Sequence, residues 1–304
     1  MQQPLLLPTS DFIFKKIFGA NKMAFQGLVG AILNQQIIDL TFLTPKEEKE
    51  DLTKEDPLSF LNVELLPSAL GDKMVRLDVC AKLDDGRQIN IEVQVDNELN
   101  FLKRILFYGA RFHTNQLRAG GTYESLKKTI CISILSFTLF PTEPYLLCHH
   151  ALLSTRTKVQ HIDDIEFFFL QLPCLPQKPY NQLTDLEKWA LFFQSRDIKV
   201  LKEVSMSNPH LKSAVEDLEN LSKDPKTRAL YEAQMKFVRD VNSRVRTMWE
   251  RGEAEGLAKG KAEGKAEGLA EGKLATARKM KEKGLAVEMI AEVTELSLET
   301  IESL

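Results

Sequence analysis

Residues 75–95 constrain this 304-residue chain most tightly, because apolar and other residues alternate there on both sides of a short turn. Period-2 alternation marks a strand with two unlike faces. Val75, Leu77, Val79, Ala81 and Leu83 form one apolar row, and Ile89, Ile91, Val93 and Val95 form its counterpart. Asp84, Asp85 and Gly86 supply the turn, with Gly86 free to adopt positive φ. A three-residue loop pairs position i with 170 − i, since a slip by one would turn one strand's apolar row to the wrong face. Asp78 then stands opposite Glu92, on a face shared with Cys80, Asn90 and Gln94. Like charges directly across an antiparallel pair are destabilising. A hard divalent cation such as Mg²⁺ between the carboxylates would relieve the repulsion. A solvated sheet face whose carboxylates point to water is the alternative.

The segments around the hairpin suggest an order. Ser10 or Asp11 can cap a helix through DFIFKKIFGANKMAFQGLVGAIL, interrupted near Gly19–Asn21. Six acidic and three basic residues make 44–57 a solvated loop. FLNVELL (60–66) reads as a strand, followed by a loop through Pro67 and Gly71, then the hairpin and a helix over about 97–118. LKKTICISILSFTLF contains a buried strand. Helix, three strands, helix, strand describes an α/β sandwich. PYLLCHHALL and DIEFFFLQL add two strands, and helical patterns begin at Thr184.

On the helix after the hairpin, Arg104, Tyr108, Arg111, Asn115 and Arg118 fall within an arc of about 80° at 100° per residue. Leu99, Leu102, Leu106, Gly109, Ala110 and Leu117 lie on the other side. Residues 97–128 carry six Lys or Arg and two Glu. This local excess of positive charge suits a phosphate backbone, although an ordinary solvated helix face has the same pattern. Overall charge is −3, so no global field attracts a polyanion. The four cysteines lack CxxC spacing and read as buried thiols of a reducing compartment. His149–His150 reads as structural. No apolar run is long enough to span a bilayer, and the expected location is cytoplasmic.

DFIFKKIFG, LDVCAKLDDGRQINIEVQ, RILFYGARFHTNQL and GTYESLKKTICISIL follow one another in an order that resembles the PD-(D/E)XK nuclease superfamily, with its αβββαβ core. More narrowly, they resemble the Rpn family of recombination-promoting nucleases and transposase-like proteins. The resemblance covers nearly the whole chain. It implies metal-binding carboxylates at Asp78 and Glu92, with the Val93 carbonyl as a third ligand. Gln94 stands where the superfamily motif has lysine, and would orient an attacking water without stabilising charge as an ammonium does. Asp11 either supports the site or caps its helix. Arg104 and Tyr108, with Arg111 on the same stripe, would contact phosphate or brace the site. LQLPCL (170–175) departs from the family pattern by placing Gln171 and Cys174 where charged residues are usual.

The expected function is Mg²⁺-dependent endonucleolytic hydrolysis of DNA in recombination, mobile-element biology or defence against foreign DNA. The alternative is a DNA-binding or assembly protein that keeps the fold without turnover. The expected division is a nuclease-like domain over 1–180, a helical region over 181–250, a repeat over 251–274 and a bihelical end over 275–304. Glycine recurs at every fourth position from Gly252 to Gly272, with alanine in the same period from Ala254 to Ala270. Each glycine costs a helix about 1 kcal/mol relative to alanine. A smooth i±4 ridge would nevertheless let a second copy approach closely, supported by Glu255–Lys259 pairing; a charged linker is the alternative. A homo-oligomer through this repeat is therefore expected. At the end, two short helices should flank Glu295–Ser297, with Ser297 capping the second.

Overall fold

The computed structural model describes residues 4–43, 63–65, 75–117 and 120–304. The charged stretch at 44–57, the loop through Pro67 and Gly71, and Arg118 lie outside the described residues. The chain divides into two compact units, Met1–Glu232 and Ala233–Leu304.

In the first unit, the N-terminal helix breaks as its sequence suggests. α1 (Asp11–Phe18) is capped by Ser10, whose hydroxyl accepts from the Ile13 N–H, leaving the Asp11 carboxylate available for other contacts. α2 (Lys22–Leu33) begins with Asn21 as its cap. β1 (Leu40–Phe42), a strand the sequence did not reveal, pairs antiparallel with β4 (Val79–Leu83). β4 pairs antiparallel with β5 (Gln88–Gln94). Next come α3 (Phe101–Thr114), β6 (Thr129–Leu135), β7 (Leu147–Ala151) and β8 (Ile165–Gln171). The six-stranded sheet runs β1-β4-β5-β6-β8-β7, with β5–β6 and β6–β8 parallel.

The hairpin pairs Val79 with Ile91, Cys80 with Asn90 and Ala81 with Ile89, the expected register, and Gly86 adopts φ +91°. The rising strand differs from expectation. It bends at Asp78, dividing into β3 (Val75–Leu77) and β4, and β3 joins β2 (Val63–Leu65) in a separate two-stranded sheet. The bend also changes faces. Val79, Ala81 and Leu83 enter the main core, whereas Leu77 packs with Cys80 and Phe112 on the other side.

The main core joins one sheet face to α1, α2, α4 (Asp185–Gln194), α5 (Ile198–Ser205) and α6 (Pro209–Lys223). Phe12, Phe14, Phe18, Phe25, Trp189, Phe192 and Phe193 are completely enclosed, each burial stabilising the fold by roughly 1.5–3 kcal/mol. Thr184 and Glu187 form the capping box that starts α4. On the opposite sheet face, α3 inserts Phe101, Ile105 and Phe112. Gly109 permits this approach, since a Cβ there would stand 2.9 Å from Cys131 Sγ and Phe167 Cε1. The expected apolar side of α3 therefore needs correction. Its sheet face is Phe101, Ile105, Gly109 and Phe112, while Leu99, Leu102 and Leu106 are exposed.

Cys80, Cys131 and Cys148 are buried free thiols, and Cys174 is a partly buried one. Gln171 is fully enclosed. Its Oε1 accepts from the Leu139 and Phe140 N–H groups, and its Nε2 donates to the Glu143 and Tyr145 carbonyls. Its departure from the family pattern thus has a structural role, holding 139–145 against β8. His149 stacks on Phe168 and His150 on Phe140.

α7 (Pro225–Glu282) begins in the first unit and continues into the second, carrying the glycine repeat as helix. A Cβ at Gly252, Gly256, Gly260, Gly264, Gly268 or Gly272 would meet nothing within 4 Å. The ion pair present in the repeat is Lys259–Glu263 at 3.8 Å. α8 (Val287–Thr294) and α9 (Leu298–Glu302) follow, with Ser297 capping α9 as expected. Ile290 and Ile301 bury Ala277 of α7.

Candidate active site

The bend between β3 and β4 and the C-terminal half of β5 bring Asp78 and Glu92 together. Asp78 Oδ2 accepts from the Val93 N–H at 3.4 Å. A strand residue directs its N–H and C=O to the same edge, so the Val93 carbonyl also lies on the Asp78 side of β5. Gln94, the next residue, presents its carbonyl to Ser136 on the opposite edge.

Lys15 reaches this bend from α1. It is only 3% exposed. Its Nζ lies 3.0 Å from Asp78 Oδ1 and pairs with the Asp11 carboxylate one turn earlier. Burial alone would lower the Lys15 pKa, but Asp78 and Asp11 outweigh it and hold the ammonium above its usual range. Asp11 thus holds the lysine that faces Asp78, and its own charge also repels Asp78 directly. The adjacent Lys16 instead sits over the Phe12 ring, 5.2 Å from its centroid.

Glu92 is 7% exposed, and its Oε1 accepts from Asn90 Nδ2 at 3.1 Å. Asn90 is itself oriented by the Cys80 thiol, 3.4 Å from its Oδ1. Burial pushes the Glu92 carboxyl up to about 8, with repulsion from Asp78 adding to the effect. Burial also lifts Asp78, to about 6, against the opposing pull of Lys15. Each group behaves as a carboxylate short of positive charge.

α3 supplies a second cationic contribution. Arg104 donates to Gln94 Oε1 at 2.7 Å, pairs with Glu98 at 2.5 Å, and lies over the Phe101 ring. Gln94 Nε2 donates to the Asp96 carbonyl, so its amide braces Arg104 and the turn that follows β5. Tyr108, half-buried, packs against Leu77, Cys80 and Phe112. Burial raises its pKa, and Glu92 adds to the effect, so the phenol keeps its proton. Arg111 lies one turn beyond Tyr108 and two beyond Arg104, and is partly buried.

The structure therefore gathers Asp11, Asp78, Glu92, Val93, Gln94, Arg104 and Tyr108. It adds two residues that sequence reasoning did not assign to the site, Lys15 and Asn90. The Asp11–Lys15 spacing of four on a helix was the available signal for the lysine; Asn90, two residues before Glu92 on the same strand face, was the corresponding signal for the asparagine.

Among the described residues, no group of three His, Cys, Asp or Glu side chains forms a ready metal cage. The acid pair and the Val93 carbonyl nevertheless constitute a hard oxygen donor set of the kind that suits Mg²⁺ when water completes the shell. The raised carboxyl pKa values are the mark of buried anions that a cation would stabilise. In these respects the residues fit a divalent ion.

Mixed sheet, flanking helices and an acid pair of buried Glu92 and partly buried Asp78 define an α/β nuclease-type domain. Residues 56–248, more than half the chain, match the PD-(D/E)XK nuclease family transposase model, and the chain belongs to that family. No curated protein and no solved structure gave a match.

Proposed function

We propose that this protein is a Mg²⁺-dependent endonuclease that hydrolyses DNA phosphodiester bonds. The observation that carries the reading is the convergence of Asp78 and Glu92 on a site flanked by buried Lys15 and by Arg104. Asp78, Glu92 and the Val93 carbonyl would hold the cation. When bound, it supplies Lewis acidity toward the phosphate and lowers the pKa of an attacking water.

The chain's own groups divide the remaining work. Lys15 keeps Asp78 ionised and is the ammonium of the site, a charge that the Gln94 amide cannot provide. Asp11 fixes Lys15 through their ion pair. Asn90 orients Glu92, while Gln94 and Glu98 hold Arg104 for contact with phosphate. Tyr108, kept as a phenol, donates a hydrogen bond to a phosphate oxygen.

Membership of a transposase nuclease family supports a role in recombination, mobile-element biology or defence against foreign DNA, and the proposed location is the cytoplasm. The open glycine and alanine ridges of α7 support association with a second copy. No described helix is long and apolar enough to cross a membrane.

The engagement of Gln94 with Arg104 favours a second reading, a DNA-binding or assembly protein without turnover. Plasmid nicking separates the two. With Mg²⁺ the full chain should nick, and EDTA or Glu92→Ala should abolish nicking. Retained DNA binding without nicking in every form establishes the second reading, and equal nicking by Glu92→Ala overturns the site.

A further inference from the structure

α3 carries three sectors rather than two. One faces the sheet, one is the exposed row Leu102 and Leu106, with exposed Leu99 just before the helix, and the third begins at Lys103. In that third sector Lys103, Phe107 and Arg111 follow at spacing four, advancing about 40° per step. They run beside Arg104 and Tyr108. Phe107 is 45% exposed although it belongs to a helix with an apolar core contact available elsewhere. Its ring is held beside Tyr108, with centroids 6.4 Å apart and planes inclined by 56°. Among the described residues Lys103 is exposed and makes no ion pair.

We infer that Phe107 is a stacking platform for an unpaired base, and that the substrate of the neighbouring acid pair is single-stranded or locally unpaired nucleic acid. The inference rests on the nuclease reading and specifies its substrate class. In an intact duplex each base face is covered by its neighbours, so an aromatic ring outside the helix has nothing to stack on. An unpaired base offers a free π-face, and its phosphates lie within reach of cations on either side of the ring. Aromatic and cationic side chains alternating along one stripe is the arrangement that such a strand requires. The position of Phe107 inside the cationic sector, and not in the Leu102–Leu106 row, favours a polyanion over an apolar protein surface. Continuity with Arg104 carries the strand from the platform to Glu92 and Asp78.

The test uses the full chain in EDTA, with binding measured by fluorescence anisotropy. Probes are a labelled single-stranded oligonucleotide, the corresponding duplex, and a duplex containing an unpaired loop. Phe107→Ala should weaken single-strand and loop binding about 5- to 150-fold, the range for loss of one base–aromatic stack, and leave duplex binding within about twofold. Phe107→Trp should retain binding. Phe107→Leu, apolar but without a π-face, should behave as alanine. A 2-aminopurine in the single strand should be quenched by wild type and not by Phe107→Ala.

Equal effects on single strand and duplex, no effect on either, or full retention by Phe107→Leu would each overturn the inference. So would unchanged binding accompanied by a lower mass in sedimentation, which would assign Phe107 to a protein contact. Duplex binding with Glu92-dependent nicking but no Phe107 effect removes the substrate class alone. Failure of wild type to bind any probe removes the nuclease reading with it.

Discussion

Replacing Glu92 by glutamine removes a charge while keeping the side chain's shape and an oxygen that can accept from Asn90. The ordinary Glu value is 4.5, and burial with Asp78 nearby lifts Glu92 to about 8. The folded chain therefore retains a proton between those values that the unfolded chain has released, and stability falls as pH rises across that window. At about 1.4 kcal/mol per pH unit, ionising Glu92 in the folded protein costs on the order of 5 kcal/mol without a cation. Glu92→Gln escapes this cost, whereas Asp78, lifted to about 6, titrates in both proteins. The stability gained by the variant should be small near pH 4.5 and grow to on the order of 5 kcal/mol by pH 9 in EDTA. Urea denaturation followed by the fluorescence of buried Trp189, with exposed Trp249 replaced by phenylalanine, measures the difference. Mg²⁺ at pH 9 should then stabilise wild type more than the variant, because its binding draws on the ionised carboxylate. An advantage for Glu92→Gln that is the same at pH 5 and pH 9 refutes the reasoning.

Lys15→Met should destabilise the fold by about 3–5 kcal/mol at pH 8, as breaking a buried pair does, with partial recovery at pH 5 as Asp78 protonates; urea midpoints at both pH values provide the comparison. Gly109→Ala should lower thermal stability by about 1–3 kcal/mol because its methyl group meets Cys131 and Phe167. The same change should reduce nicking, since Arg104 and Tyr108 ride on that helix. Gln171→Leu strips partners from two N–H groups and two carbonyls, at about 1–3 kcal/mol for each group left buried and unsatisfied. Calorimetry should show the loss, and specific nicking by the folded fraction should remain.

The hairpin register was legible because its loop length and alternating rows permit one pairing. The bend at Asp78 was not legible, since the letters alternate straight through it while the backbone changes sheets. On α3, a wheel centred on the basic stripe leaves two apolar sectors, and nothing in hydrophobicity alone selects between them. The Phe101, Ile105, Gly109, Phe112 row held the distinction, because glycine there allows contact with the sheet. Lys15 and Lys16 look alike in DFIFKKIF, yet one is enclosed with two carboxylates and the other lies over an aromatic ring. The faces of α1 separate them. That Asp11 would clamp a lysine and not merely begin a helix became apparent only with Ser10 in the capping position.

The distance along the chain between Lys15 and Asp78 has a consequence for how this protein folds. The β4–β5 hairpin is local and can close early, but enclosing Asp78 before α1 arrives would strand an anion away from water. Docking α1 first would likewise enclose an ammonium without the second of its acids. Each half therefore raises the cost of proceeding alone, which ties N-terminal helix docking to sheet closure in one cooperative step. In kinetic terms, Lys15→Met should slow refolding more at pH 8 than at pH 5, placing this ion pair within the folding nucleus.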